Sequence, residues 1–224
     1  MNYRKLFSSI AAAAALGCGI QANAATIGLT LDNSETTIQY GQTANRPCII
    51  GESSCTGDLP KASLPNGPQS VYNVETIEYS IGTITALVTE QFFVGIDVNS
   101  TEKPLATEYL DLFEAIIRDE NGNEVDRFVY NPVSPGTQLL VNQGTGASDA
   151  LLKEFDLSSY SSTFTIQFHT IIQTPTDGKE QFFLIAANDP NPPTEIPEPG
   201  TTAIFGLGLL GLGMISLRGK KKQS

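Results

Sequence analysis

The chain reads as mainly β, an antiparallel β-sandwich. Three observations predict it. Apolar and polar residues alternate through several segments. Turn residues interrupt those segments at short intervals. No long stretch between the two chain ends keeps a helical period. Of the 224 residues, about 175 form the body between the ends, enough for one domain with a real core.

The longest alternation starts at Ile84. Ile84, Ala86, Val88, Phe92, Val94, Ile96 and Val98 share one parity, while Thr83, Thr85, Thr89, Gln91 and Asp97 share the other. That pattern predicts a long strand, or a hairpin pair, with one buried face. Phe164, Ile166 and Phe168 against Thr163, Thr165, Gln167 and His169 predict a second strand. The run Phe182–Ala187 is continuously apolar and predicts a central strand, or one covered on both faces. Asn121-Gly122 separates Ala115–Arg118 from Val125–Tyr130 and predicts a hairpin. Tyr109, Leu112, Phe113, Ile116 and Ile117 also fit helical spacing, so a short helix or turn near Thr107–Leu112 stays open beside a strand. Residues 41–70, rich in Gly, Pro, Ser and Asn, read as a long loop. The sandwich is expected over 25–190, with a proline-rich spacer over 191–199.

Both ends carry addresses. Met1–Ala24 has the layout of a signal peptide: Arg4 and Lys5, an apolar stretch, then Ala22-Asn23-Ala24 as a small-x-small site. Signal peptidase is the partner this implies, and Ala25 is the expected mature start. The rival is a poor lipobox, Ala15-Leu16-Gly17-Cys18, which would lipidate Cys18. At the other end Pro197-Glu198-Pro199 precedes an uncharged stretch, Thr201–Leu217, and then Arg218, Lys220, Lys221 and Lys222. The stretch reaches about 25 Å as a helix, just short of a hydrocarbon core. The cations mark a cytoplasmic stop, so a transmembrane helix with a basic tail is expected over 200–224, and the body stays outside. A plain single-pass anchor is one reading.

The other reading comes from a resemblance. Pro197-Glu198-Pro199, the glycine- and leucine-rich span and the basic end together resemble a PEP-CTERM sorting signal. That resemblance implies exosortase as a partner, a membrane-bound intermediate, removal of the tail, and delivery to the cell surface or an exopolysaccharide matrix. Separately, Phe155-Asp156-Leu157-Ser158-Ser159-Tyr160, followed by a strand and then Phe182-Phe183-Leu184-Ile185-Ala186, resembles the end of a jelly-roll domain of bacterial surface proteins. It implies a jelly-roll-like fold and nothing about activity.

Export also organises the cysteines. Removal of 1–24 takes away Cys18 and leaves Cys48 and Cys55, an even pair in an oxidising compartment, and a disulfide is expected. Seven of the thirteen cations lie in the body against 24 acids, a net −17. Such a surface disfavours nucleic acid as a partner and serves solubility.

Catalytic patterns are lacking. The single histidine, His169, falls on the polar face of its strand and is expected to be an exposed surface residue. Carboxylate pairs such as Asp111 and Glu114 arise by chance among so many acids. Calcium is the one cofactor with a candidate set: Asp119, Asn121, Asn123 and Asp126 place oxygens at near-alternate loop positions. Glu124 stands where a calcium loop wants glycine, which favours a metal-free hairpin turn. The functional expectation is a secreted surface or matrix protein with a structural or adhesive role and no catalysis. The alternatives are a carbohydrate-binding module, calcium-assisted, with an exopolysaccharide as partner, and a hydrolase.

Overall fold

The computed structural model describes residues 24–33, 40–65, 69–98, 108–136, 139–140, 148–174 and 180–189. In chain order the elements are β1 (Ala25–Gly28), β2 (Thr30–Asp32), β3 (Cys48–Ile50), β4 (Val71–Glu75), β5 (Tyr79–Ser80), α1 (Ile81–Val88), β6 (Gln91–Asp97), β7 (Glu108–Arg118), β8 (Glu124–Tyr130), β9 (Leu139–Leu140), β10 (Ala150–Asp156), β11 (Thr165–Gln173) and β12 (Gln181–Ala186). They make two sheets. The larger runs β1-β8-β7-β11-β4, with β5 on β11 and β9 on β7. The smaller runs β2-β10-β6-β12-β3.

The sheets face each other across one aromatic core. Phe113 on β7 stacks on Phe182 of β12 at 5.7 Å, and Phe128 on β8 meets Phe155 of β10 at 5.4 Å. Phe155 also stacks on Phe92 at 4.8 Å. Each ring comes from an inward parity position, so the period-two pattern is what builds the layer. Among the described residues all pairings between strands are antiparallel except β1 with β8, which is parallel and makes the larger sheet mixed; an isolated parallel bridge also joins Ile50 to Ala62. The wholly antiparallel expectation fails there because β1 enters along the edge of the body, with no turn joining it to β8.

The predicted strand from Ile84 onward splits in two. Its first half is α1, and its second half is β6. Ile81, Ile84 and Val88 are buried on one helical face. Ile84 and Val88 share a parity and are also four apart, so alternation and helical spacing coincide there. Local chemistry breaks the tie. Ser80 Oγ accepts the Thr83 N–H at 3.1 Å as an N-cap. Thr89, at φ 73°, ends the helix.

Three further readings meet the structure. The run from Phe182 is β12, paired with both β6 and β3. Phe182 and Leu184 enter the main core, while Phe183 and Ile185 are fully buried on the other face with Leu151, Tyr40 and Phe93. Residues 41–70 are not a free loop. They contain β3, and Ile49 and Ile50 are wholly buried against β12. Their turn-rich flanks mask a three-residue strand. The region near 107–112 is strand, since β7 begins at Glu108. A register shift between Ile171 and Ile172 leaves Asp111 as an extra residue on β7. That bulge puts Leu110 and Phe113 on the same inward face, and the helically spaced set divides between the two faces: Phe113 and Ile117 enter the core, while Tyr109, Leu112 and Ile116 do not.

Candidate functional site

Two neighbouring concavities lie on the outer side of the smaller sheet. One, of about 350 Å³, is lined by Gln91, Phe93, Lys153, Glu154, Phe155, Asp156 and Ala187. The other, of about 300 Å³, is lined by Thr89, Glu90, Gln91, Ala187 and Asn188. Gln91 and Ala187 are common to both, so the two form one groove.

The strands create it. Gln91 opens β6 directly opposite Asp156, which ends β10. Gln91 Nε2 donates to Asp156 Oδ2 at 2.9 Å, and Ala187 N donates to the Gln91 carbonyl at 3.0 Å. A register shift between Leu152 and Phe155 takes Lys153 and Glu154 out of the ladder with β6, while Lys153 stays paired with Thr30 of β2. Glu154 takes φ 84°, and Thr89 takes φ 73°. Positive φ is uncommon for such residues and costs free energy, and two of the three described cases line this groove.

Its electrostatics are acidic. Hydrogen bonds from Ser158 and Gln91 hold the Asp156 carboxyl below the usual carboxylate range, so it is ionised at neutral pH. Lys153 is matched by Asp32 at 2.6 Å. Glu90, Glu154 and Asp156 remain against no further cation in the lining. The groove thus sets amide and carboxylate groups beside the half-buried Phe93 ring. Hydroxyl-rich neutral ligands suit that mixture; anions do not. The alternation that includes Gln91 and the motif that includes Phe155 and Asp156 do not mark a site, because the groove depends on pairing β6 with β10.

The predicted residues fall elsewhere. Cys48 and Cys55 form a disulfide. Gly51 sits inside that loop, where an added Cβ would come 3.0 Å from Cys48 Sγ. Asp119 Oδ1 accepts the backbone N–H groups of Asn121 and Asn123, both at 2.8 Å. Its Oδ2 accepts their side-chain amides, and these bonds keep its pKa low. Asp126 is turned toward Tyr160 Oη, at 2.8 Å, and the Ala25 nitrogen, at 3.1 Å. The calcium candidates therefore serve a hairpin turn and an edge strand. Among the described residues no cluster of three or more His, Cys, Asp or Glu side chains is arranged to hold a metal ion.

His169 is not the exposed residue expected. Its side chain is 12% exposed, with Nδ1 at 2.8 Å from Glu114 Oε1 and Nε2 at 2.7 Å from Asn73 Oδ1. Long neighbours on β4 and β7 cover a polar-face residue in the middle of a sheet. Arg127 Nη1 donates to the other oxygen of Glu114 at 2.6 Å, and Glu124 grips the same guanidinium. This network lies on the larger sheet, and the groove lies on the smaller one. Asp111 Oδ1 accepts the Gly136 N–H, which gives it a structural role apart from Glu114.

Ala22, the sorting triplet Pro197, Glu198 and Pro199, the span 201–217 and the cations Arg218, Lys220, Lys221 and Lys222 lie outside the described residues. Among the described residues no helix is long and apolar enough to cross a membrane. Neither a curated protein nor a solved structure matches the chain. Residues 195–221 match the family model of the PEP-CTERM protein-sorting motif. The chain therefore carries a PEP-CTERM protein-sorting motif, which implies exosortase as its processing partner and export to the cell surface or extracellular space.

Proposed function

We propose that the β-rich body is a non-catalytic structural or adhesive component of the cell surface or matrix, released there after processing at both ends. The sorting motif supports the destination. Cleavage after Ala24 and a membrane intermediate spanning 201–217, with the basic residues cytoplasmic, complete the route. The body itself belongs to the jelly-roll-like sandwiches in this reading. Intact mass of exported protein from cells with active exosortase tests the route. A mature species that keeps Pro197–Ser224 would sink it.

A second reading is favoured by the groove around Gln91 and Asp156. In it the adhesive contact is a neutral polysaccharide. Its hydroxyls meet Gln91, Glu154 and Asp156, and its C–H face meets Phe93. The exported protein is passed over immobilised neutral and acidic polysaccharides. Retention on neutral ones, weakened at least several-fold by Phe93→Ala, supports this reading. Equal retention of wild type and Phe93→Ala, or none by either, rejects the groove as the contact.

A further inference from the structure

The strand β1 begins at Ala25, the residue that follows the expected signal-peptide cleavage site. Its backbone nitrogen lies 3.1 Å from Asp126 Oδ1, and Ala25 and Asp126 are register partners across the β1–β8 pair. Cleavage between Ala24 and Ala25 uses one water. The new carboxylate leaves with residues 1–24, and the nitrogen stays on Ala25 as an amine, protonated at neutral pH. The atom facing Asp126 is therefore the one that processing turns into a cation.

We propose that removal of residues 1–24 creates the partner of Asp126, and that the new α-ammonium of Ala25 docks on that carboxylate and locks β1 onto the edge of the larger sheet. This rests on the reading of Met1–Ala24 as a cleaved signal peptide. Before cleavage Asp126 receives one neutral N–H from Ala25. Afterwards the donor is itself a cation, so the contact becomes an ion pair, a modest gain at an exposed position.

The surroundings fit the role. Tyr160 Oη donates to the second oxygen, Oδ2, at 2.8 Å and holds the carboxylate toward β1. The Tyr160 hydroxyl is pushed well above its usual range, by burial first and then by Asp126, so it stays a donor. The other charged groups of β8 next to this point are Glu124 and Arg127, and Arg127 is shared between Glu124 and Glu114 of β7; from β10, Asp156 adds a negative charge that acts on Tyr160. The strand needs the help. It has four residues, an exposed pattern broken only by Ile27, and a parallel pairing on one side alone. Leu29, which follows it, is buried and donates to the Val129 carbonyl at 2.8 Å, so docking β1 also sets the crossing to β2.

The test uses exported protein. Its first residue is read by intact mass, and its α-amine, labelled by 13C-dimethylation, is titrated by NMR. Ala25 as first residue, with an amine that titrates about half a unit higher in wild type than in Asp126→Asn, supports the lock; an exposed ion pair implies that size. An amine that titrates at the same pH in both overturns the docking and leaves the cleavage reading intact. A different first residue overturns both. If Asp126→Asn does not fold, the denatured wild type supplies the reference, and an unchanged value on folding overturns the lock. Tyr160→Phe keeps the charge at Asp126 and is expected to keep most of the elevation; complete loss there would assign the effect to burial instead.

Discussion

His169 and Glu114 stand opposite each other on β11 and β7, with Nδ1 2.8 Å from Oε1. The carboxylate joins the histidine to Arg127 and so ties three adjacent strands together on the larger sheet's outer face. This is a structural use of the histidine. The pair is mostly buried, at 12% and 10% side-chain exposure, so its loss is felt more than that of a surface ion pair.

Glu114→Ala is expected to destabilise the fold by about 1–2 kcal/mol, because the mostly buried His169 loses its partner, while the more exposed Arg127 keeps Glu124. Urea denaturation at pH 7 measures it. A change within a few tenths of a kcal/mol would show that the network adds nothing net.

Reduction of Cys48–Cys55 is expected to cost about 2.5 kcal/mol, the chain-entropy value for an eight-residue loop. Both sulfurs are buried. A lower urea midpoint, compared with and without reductant, checks this. An unaltered midpoint after verified reduction contradicts it.

Gly95→Ala is expected to destabilise by about 1–3 kcal/mol through overpacking. An added Cβ would lie 2.8 Å from ring atoms of Phe183 and 2.9 Å from Ile185 Cδ1, on a strand that cannot retreat between β10 and β12. Thermal melting reads the loss. A variant as stable as wild type would mean that β12 shifts freely.

Tyr79 provides an alkaline signature. Burial pushes its hydroxyl up to about 12, although a Thr76 hydrogen bond opposes the rise. Between about pH 10 and 12 the unfolded chain has released this proton and the folded chain has kept it. Stability therefore falls as pH rises through that window, and it is fully present below pH 10. Tyr79→Phe is expected to lower stability at pH 7 by about 1 kcal/mol, from the lost bond to the Pro60 carbonyl, and to flatten the alkaline decline. An equally steep decline in the variant assigns the loss to other groups.

Features that depend on neighbouring residues were legible in the sequence. Asn121-Gly122 announces its hairpin because the turn needs a residue at positive φ, and Gly122 supplies 81°. The apolar run at Phe182 announces burial on both faces, whatever its partners are. The cysteine pairing follows from count and compartment, and the tail's order of triplet, span and cations is itself the sorting signal. Tertiary structure decided the rest. Ile84 and Val88 satisfy both periods, so the Ser80 cap and the packing surface chose helix. Apolar residues on both faces of β7, Phe113 and Ile117 inward and Leu112 and Ile116 outward, disguised it as a helix. The Gln91–Asp156 groove, the Glu114–His169 pair and the Ala25–Asp126 contact join residues 65, 55 and 101 positions apart. Side-chain alternation reports which face a residue occupies. It carries no information on which distant strand lies alongside, and that register is set only when both sheets close on one core.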